Sequence, residues 1–305
     1  MAFALDTTAP EALTAALVED TGASDEEDGI TSNGEVTVEG LQPDAVWEYS
    51  VDGGTTWQAG EGSAFTLAEG MYADGDVQVR QTDAAGNVSD VTNLGPVTVD
   101  VTVESPVVAL ATDVGTSDTD GLTNYATLTI TAEAGATVEV FNGDTSLGQA
   151  VEDADNPGTF TFVPEDLPEG NYSFTAVTTD PAGNQSQPSD ALTVTLDTTV
   201  PNPPIVGLTN DTGPLLDGIT SDGTLVIRTE PGSVVDVFTD AAPLGQATED
   251  PAVPGRYTLE TDLEDGEYTI TAIANDPAGN ASFGQTSITL DTSAPDAPEL
   301  ALANN

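Results

Sequence analysis

The chain has 305 residues, of which 53 are acidic and only three are basic, all of them arginine, so that its formal net charge is −50. Because so few cations cannot neutralise phosphates, this composition argues against nucleic-acid binding, and an anionic membrane surface would repel the chain. The sequence has no histidine and no cysteine, which excludes Ser-His-Asp and Cys-His catalysis, the usual zinc ligands and disulfide bonds, and leaves carboxylate chemistry and the binding of hard cations.

In chain order, the predicted elements are short strands separated by turns. Residues 11–19 are compatible with a helix or a strand, and we interpret them as a strand because they occupy the same place in a repeat as residues 204–208. Alternating apolar residues predict further strands at residues 36–38, 128–132, 138–141, 160–162, 172–176, 225–227 and 268–272. Glycine-containing turn motifs lie between them, and no apolar run approaches the length of a membrane-spanning helix.

Three short phrases recur in a fixed order along the chain. An Asp-x-Ala-Gly-Asn phrase has its aspartates at Asp83, Asp180 and Asp276, which are 97 and 96 residues apart. A Leu-Asp-Thr phrase and an acid-rich phrase recur with it, at residues 5–10, 99–106 (degenerate), 196–201 and 290–295, and at residues 20–31, 113–123 and 211–220, respectively. This periodicity predicts tandem domains with the boundaries 1–103, 104–197 and 198–291, followed at 292–305 by the start of another repeat or a linker.

The number of strands in each repeat predicts the fold. About seven short strands in about 95 residues are typical of an immunoglobulin-like (Ig-like) sandwich. We therefore predict an all-β protein in which three tandem Ig-like β-sandwich domains are arranged end to end as an elongated rod. Aromatic residues make up only 5% of the chain, so the cores are expected to be small and aliphatic.

The recurring phrases also carry a family resemblance. The Leu-Asp-Thr-Thr-Ala-Pro opener at residues 5–10, the Asp-Pro-Ala-Gly-Asn phrase at residues 180–184 and the aromatic string at residues 47–57 resemble the tandem bacterial Ig-like repeats of giant type I-secreted (RTX/biofilm-type) surface adhesins. The resemblance implies an extracellular protein of the bacterial cell surface, in which calcium-stiffened repeats act as spacers. It also implies that other domains of the full-length protein bind the host-cell or surface ligand.

The sandwich topology predicts where the acidic phrases meet. The last hairpin of a repeat turns at the end where its first strand enters, and the first loop of the preceding repeat faces the same junction. The first junction would collect Asp20, Asp25, Asp28, Asp100 and Asp180, the second Asp113, Asp118, Asp120, Asp197 and Asp276, and the terminal half-sites Asp6 with Asp83 and Asp211 with Asp217 and Asp291. Because clustered carboxylates repel one another, a cation is expected between them, and oxygen-only ligands favour Ca²⁺.

Other residues of the phrases have simpler interpretations. The asparagines that close the hairpin phrase, Asn87, Asn184 and Asn280, are expected to add oxygen ligands to these sites. The remaining acids, Glu133 among them, are expected to keep the chain soluble. Aspartates also form turns without any metal, which is the alternative for each position taken singly.

The predicted function is that of a structural spacer in a bacterial cell-surface adhesin that supports adhesion and biofilm formation, and not that of an enzyme. Its expected partners are calcium and neighbouring repeats of the same chain, with neither nucleic acid nor membrane insertion. Alternatively, the repeats themselves bind a carbohydrate or a homotypic partner, and Trp47, Tyr49 and Trp57 could form a sugar-stacking platform, although a core position is more common for such a Trp. The paired Asp-Thr-Gly motifs at 20–22 and 211–213 are typical of aspartic proteases, but repeat ancestry explains them without catalysis.

Overall fold

The computed structural model describes residues 5–22, 28–212, 214, 217–240 and 242–298. Within these ranges the chain forms β-strands and no helix, which confirms the all-β prediction. Accordingly, this part of the chain contains no helix with the length and hydrophobicity that a membrane span requires. The chain divides into two compact units, described separately below: Met1–Ala109 with Leu128–Phe162 and Phe174–Ala191, and Leu110–Thr127 with Val163–Ser173 and Leu192–Asn305.

The first unit begins with ten short strands. They are β1 Thr14–Leu17, β2 Ile30–Thr31, β3 Glu35–Glu39, β4 Val46–Ser50, β5 Gln58–Ala59, β6 Ala64–Thr66, β7 Gly70–Tyr72, β8 Gln78–Thr82, β9 Thr92–Asn93 and β10 Val97–Val99. They form three sheets with the orders β1-β3-β6, β2-β10-β7 and β5-β4-β8-β9. Strand β1 confirms the interpretation of residues 11–19 as containing a strand rather than a helix.

Alternation along these strands places their apolar side chains in one core. In β3, for example, Val36 and Val38 are buried between exposed or half-buried polar residues. They pack with Leu13, Trp47 and Val79 in a cluster of buried residues. Trp47 is only 5% exposed, so its interpretation as a core residue is confirmed.

Strands from the middle of the chain contribute to both units. They are β11 Val107–Leu110, β12 Leu122–Thr123, β13 Leu128–Thr131, β14 Thr137–Asn142, β15 Thr145–Gln149, β16 Val151–Glu152, β17 Thr159–Phe162, β18 Gly170–Thr179 and β19 Leu192–Leu196. In the first unit, one sheet has the order β11-β13-β17-β16, and β14 pairs antiparallel with both β15 and β18. In the second unit, β12 pairs in parallel with β19.

The second unit ends with a single eight-stranded sheet. Its strands are β20 Ile205–Leu208, β21 Ile219–Thr220, β22 Leu225–Arg228, β23 Val234–Thr239, β24 Pro243–Glu249, β25 Arg256–Leu259, β26 Gly266–Asn275 and β27 Ala281–Leu290, in the order β20-β22-β25-β24-β23-β26-β27-β21. Strand β24 joins the two halves of this sheet, because it pairs with β23 near its start and with β25 at its end. The enclosed core is largely aliphatic, with Leu225, Ile227, Val237 and Ile270 fully buried around Tyr257.

Candidate metal centre

Parallel strand pairs fix the position of the acid in each linker. The pairs β2–β10, β12–β19 and β21–β27 recur at the same place in the repeat. Immediately after each pair, the backbone N–H of the linker aspartate continues the ladder and donates to a buried threonine carbonyl. These bonds join Asp100 to Thr31 (3.0 Å), Asp197 to Thr123 (3.0 Å) and Asp291 to Thr220 (2.9 Å).

A tight turn fixes the aspartate of the hairpin phrase. Asp180 is fully buried, and its carboxylate accepts hydrogen bonds from both the backbone N–H (2.7 Å) and the side-chain amide (2.7 Å) of Asn184. Asp276 is 3% exposed and makes the same pair of contacts with Asn280, at 2.8 and 3.0 Å. Buried carboxylates are therefore built into the second and third copies of the phrase.

The asparagine side chain links this hairpin to the linker. Asn184 Nδ2 also donates to the Asp100 carbonyl (2.8 Å), and Asn280 Nδ2 donates to the Asp197 carbonyl (2.8 Å). The first repeat has a longer version, from Asn87 Nδ2 to the Asp6 carbonyl at 3.4 Å. At these contacts the side-chain nitrogen donates to both the linker carbonyl and the hairpin carboxylate, and the expectation that side-chain or backbone oxygens of these asparagines bind a metal stays a prediction.

Three carboxylates come together in the first unit. Oxygen atoms of Asp100, Glu133 and Asp180 all lie within 4.8 Å of one another. Burial and then the negative charges of Asp100 and Asp180 raise the pKa of Glu133 above its ordinary value. Two of the three arginines of the chain pair elsewhere, with Glu48 and Asp250. The trio is thus a set of mutually repelling anions.

Glu133 is exposed, in agreement with its predicted surface position, but its place beside Asp100 and Asp180 is not predicted by the recurring phrases. It lies in the turn between β13 and β14, away from the recurring phrases. Its signal is its counterpart Glu230, 97 residues later, in the same offset that separates Asp100 from Asp197. The trio Asp197, Glu230 and Asp276 is not brought within 4.8 Å in the described part of the second unit.

The acid-rich loop before β2 contacts the hairpin of the following repeat inside the first unit. Thr21 Oγ1 donates to the Ala182 carbonyl at 2.6 Å. Asp20 Oδ2 accepts the Gly29 N–H (3.1 Å), whereas its Oδ1 is buried with no hydrogen-bond partner among the described residues. Asp28 accepts the N–H of Ile30, neither Asp20 nor Asp28 is part of the trio, and Asp25 lies outside the described residues.

The equivalent loop in the second unit has the same construction. Asp113 Oδ2 accepts the Gly121 N–H (2.9 Å), and its Oδ1 is again buried without a hydrogen-bond partner in the described ranges. The N–H of Thr116 donates to the Pro277 carbonyl at 3.1 Å. Asp118 and Asp120 are exposed, and Asp120 accepts the Leu122 N–H. The loop therefore reaches the hairpin through its backbone while one buried carboxylate oxygen stays unsatisfied.

The residues of the terminal half-sites mainly close local turns. Asp6 accepts the Thr8 N–H, Asp217 the Ile219 N–H, and Asp291 the N–H and hydroxyl of Ser293. The hydrogen bonds from Asn87 lower the pKa of Asp83, and those from Ser293 lower the pKa of Asp291. Asp211 is half-buried at the start of its loop. No trio of acids within 4.8 Å forms from these residues in the described part of the chain.

The structure offers simpler explanations for two alternative interpretations of the sequence, namely the Asp-Thr-Gly motifs of a protease and the sugar-stacking platform. In the Asp-Thr-Gly motifs, the threonine hydroxyl closes its own loop, since Thr21 accepts the N–H of Ser32 (2.6 Å) and Thr212 accepts that of Ser221 (2.8 Å). For the sugar platform, the Arg80 guanidinium lies 3.8 Å from the centre of the Trp57 ring. One face of that ring is therefore already covered.

The raised pKa of Glu133 has a measurable consequence. Because its pKa is higher in the folded chain than in the unfolded chain, the ionised group destabilises the fold, and the effect disappears as pH falls through the raised value. Groups with lowered pKa values, such as Glu169 and Asp83, lose their stabilising effect only below their ordinary range. Calorimetry of metal-free protein should therefore show a melting temperature that rises as pH falls from neutral toward the ordinary glutamate pKa. The rise should be smaller in Glu133→Gln than in Glu165→Gln, and an equal rise in both would contradict this origin.

The chain is similar to known proteins in its sequence and in its fold. The bacterial Ig-like domain family model matches residues 102–198 and 199–292. Exoglucanase B of Cellulomonas fimi is 29% identical over 235 residues, which is 72% of this chain and 20% of that protein, so the chain spans about a fifth of that relative.

Two solved structures are also similar to this chain. A tetra-tandem repeat from the extending region of a large adhesion protein covers 93% of this chain and 75% of its own, with 19% identity and a TM-score of 0.28. A solved structure from work on a 1.5-MDa bacterial ice-binding adhesin matches 93% of this chain and 98% of the solved chain, with 16% identity and a TM-score of 0.29. The Ig-like fold predicted from the repeats is confirmed by the family match, which covers more than half of the residues, and the chain belongs to the bacterial Ig-like domain family.

Proposed function

We propose that the chain is an extender segment of a bacterial cell-surface adhesin, in which calcium ions at the repeat junctions hold successive Ig-like repeats in line. The observation that carries the proposal is the trio Asp100, Glu133 and Asp180, because it brings together carboxylates from a linker, a turn and a hairpin. An ion bound there would tie the linker to the body of the repeat that follows it. Calcium ions bound at successive junctions would make a series of separate domains into a stiff rod.

The donor set of the trio fits calcium. Calcium–oxygen distances are about 2.3–2.6 Å, so two oxygens on one ion are at most about 5 Å apart. The 4.8 Å limit on the trio satisfies this condition. The ligands are all oxygen, which disfavours zinc and copper, and a bound cation would remove the repulsion that raises the pKa of Glu133.

The buried oxygens of the preceding loops support the same proposal. Asp20 and Asp113 each leave one carboxylate oxygen buried without a hydrogen bond to any described residue. Such a group destabilises the fold unless something satisfies it. A cation at each junction is a natural partner, and both aspartates lie in loops that contact the hairpin of the next repeat.

The two junctions should differ in affinity. At the first, the three carboxylates are already close together, whereas Asp197, Glu230 and Asp276 are not within the same limit. A preorganised site binds more tightly because less ordering accompanies binding. We therefore propose a tighter site at the first junction and a weaker one at the second.

Isothermal titration calorimetry of the metal-free chain with CaCl₂ tests the proposal. We expect at least two classes of site, and Glu133→Gln should weaken the tighter class by about tenfold or more, because ligand charge tunes calcium affinity over several decades. Glu165→Gln, which removes the same charge from an exposed loop, is the matched control. If no saturable binding occurs, or if both variants bind like the parent, the calcium junctions are refuted.

The similarity to exoglucanase B covers only a fifth of that protein, and we infer no enzymatic activity for this chain from it. A spacer between domains serves a secreted enzyme as well as an adhesin, so we propose the extender role and a location outside the cell. Incubation of the purified chain with a soluble β-glucan should release no reducing sugar. Release that is abolished by a single Asp→Asn change would instead favour an enzyme.

A further inference from the structure

The second unit contains a surface groove whose lining extends to Leu196 and Thr198, on either side of the linker aspartate. Its volume is about 220 Å³, and its lining includes Tyr125, Val163, Pro164, Asp166 and Leu167. Tyr125 and Val163 are each 54% exposed, and two large exposed apolar side chains in the lining of one groove are a feature of interaction sites. The groove therefore combines an aromatic ring, an apolar wall and a carboxylate.

Tyr125 departs from the pattern of the other repeats. Two residues after the buried threonine of each parallel strand pair, the first and third repeats have Asn33 and Asp222. Their side chains accept the backbone N–H two residues later, from Glu35 at 3.1 Å and from Thr224 at 3.0 Å. Tyrosine cannot make this turn-closing bond. In the second repeat, a local stabilising contact is thus replaced by an exposed ring.

The facing loop has changed at the same end. In the third repeat, the Thr261 hydroxyl donates to the Gly223 carbonyl at 2.8 Å, which ties the two loops together. The corresponding residues of the second repeat are Pro164 and Ala126, and proline has no hydroxyl to donate. The loop before β18 is also one residue longer than the loop before β26. The hydrogen bond that joins the two loops in the third repeat is therefore absent from the second repeat, where the groove lies.

The longer loop holds its carboxylate in an uncommon backbone conformation. Asp166 has a φ of 51°, in the left-handed region that aspartate and asparagine tolerate better than most residues. Its carboxylate has no hydrogen-bond or ion-pair partner within the described ranges of the second unit. The lining of the groove thus contains both this carboxylate and the exposed ring of Tyr125.

The first repeat shows what such a combination binds. There the Arg80 guanidinium lies over the Trp57 ring at 3.8 Å from its centre and pairs with the Glu48 carboxylate at 2.9 Å. The groove of the second repeat has a ring and a carboxylate, Tyr125 and Asp166, but no cation among its lining residues. Compared with the first repeat, the groove therefore lacks only the guanidinium group, which an arginine of another protein would supply.

We propose that this groove binds an arginine side chain presented by a partner protein. The guanidinium would stack on Tyr125 and pair with Asp166, and the apolar stem would lie against Val163 and Leu167. Charge complementarity supports this occupant, since the chain carries a net charge of −50 and repels anionic ligands. The proposal does not depend on calcium.

The test is an NMR titration of the ¹⁵N-labelled chain with the peptide acetyl-Gly-Arg-Gly-amide, run with and without calcium. The matched peptide with citrulline in place of arginine keeps the shape and removes the charge. We expect saturable shifts at residues 125–127 and 163–167 with the arginine peptide and at least fivefold weaker binding of the citrulline peptide. The variants Tyr125→Asn, which restores the residue of the first repeat, and Asp166→Asn, which tolerates the same φ, should each weaken binding about two- to fivefold.

Control variants separate this site from general attraction to an acidic protein. Asp144→Asn removes one charge from an exposed hairpin turn and Met71→Ser removes an exposed apolar side chain elsewhere, so both should bind like the parent. Shifts spread over many acidic loops, equal binding of the citrulline peptide, or unchanged binding by Tyr125→Asn would each overturn the proposal. Saturation of the groove by a neutral trisaccharide but not by the arginine peptide would also overturn it.

Discussion

Saturating calcium should raise the melting temperature of the metal-free chain by about 10–20 °C in the transition that contains the first junction. A ligand that binds only the folded state at 100 times its dissociation constant stabilises it by about 2.7 kcal/mol. For a domain of about 100 residues, each kcal/mol raises the melting temperature by about 4–8 °C. Scanning calorimetry of the dialysed protein, with CaCl₂ or with chelator, measures this difference.

Asp180→Asn should remove most of that rise. The residue is fully buried, and both of its carboxylate oxygens accept hydrogen bonds from Asn184. The substitution therefore affects the metal-free protein in two opposing ways, because it loses a hydrogen bond and also relieves repulsion within the trio. The informative quantity is the change in melting temperature caused by calcium, and not the melting temperature itself.

Controls separate a bound ion from screening of the net charge. Magnesium at the same concentration screens equally well but gives up its water reluctantly, so it should raise the melting temperature much less. Asp144→Asn removes an exposed aspartate from a hairpin turn and should keep the full response. If Asp180→Asn and Glu133→Gln both respond to calcium as the parent does, the trio is not the binding site.

The fold follows from the sequence because its determinants are local. Alternation in segments such as residues 36–38 and 225–227 decides which face is buried, and the repeat period decides how many times the pattern recurs. The exact pairing of the strands does not follow from local sequence in the same way. Strand β24 begins at Pro243 and joins both halves of the last sheet, and nothing in its weakly alternating residues distinguishes this arrangement from two separate sheets.

The candidate site could be predicted only in part, for physical reasons. Asp100 and Asp180 were expected to converge because sandwich topology brings their segments to one end, and the structure places them together. Glu133 comes from a turn whose approach depends on packing, and the first repeat has no acid at that place to reveal it. Asn184 donates to a carboxylate and a carbonyl, and Asp20 leaves one oxygen without a hydrogen bond. Both depend on the local hydrogen-bond geometry, which the spacing of residues in the sequence does not determine.

Gly183→Ala should break the contact between the acid-rich loop and the hairpin in the first unit. Gly183 has a φ of 88°, and a Cβ added there would lie 2.5 Å from the Thr21 carbonyl oxygen, which is a backbone atom. The substitution adds strain of about 1–2 kcal/mol for the left-handed conformation. It also forces Thr21 away and so removes its hydrogen bond to Ala182, which contributes about 0.5–1.5 kcal/mol more.

The first repeat supplies a matched control for this substitution. Gly86 occupies the same place in the hairpin phrase with a φ of 93°, and nothing lies within 4 Å of its added Cβ. Gly86→Ala should therefore show the backbone strain alone, and the difference between the two variants isolates the contact between loop and hairpin.

Hydrogen exchange can locate that difference, because the Ser32 N–H is held by the Thr21 hydroxyl at 2.6 Å. This amide should exchange faster in Gly183→Ala and at the parental rate in Gly86→Ala. Calcium affinity at the first junction should fall only in Gly183→Ala, since Asp20 belongs to the displaced loop. Equal exchange and equal affinity in the two variants would mean that the loop contributes neither a contact nor a ligand to the junction, and would restrict the site to Asp100, Glu133 and Asp180.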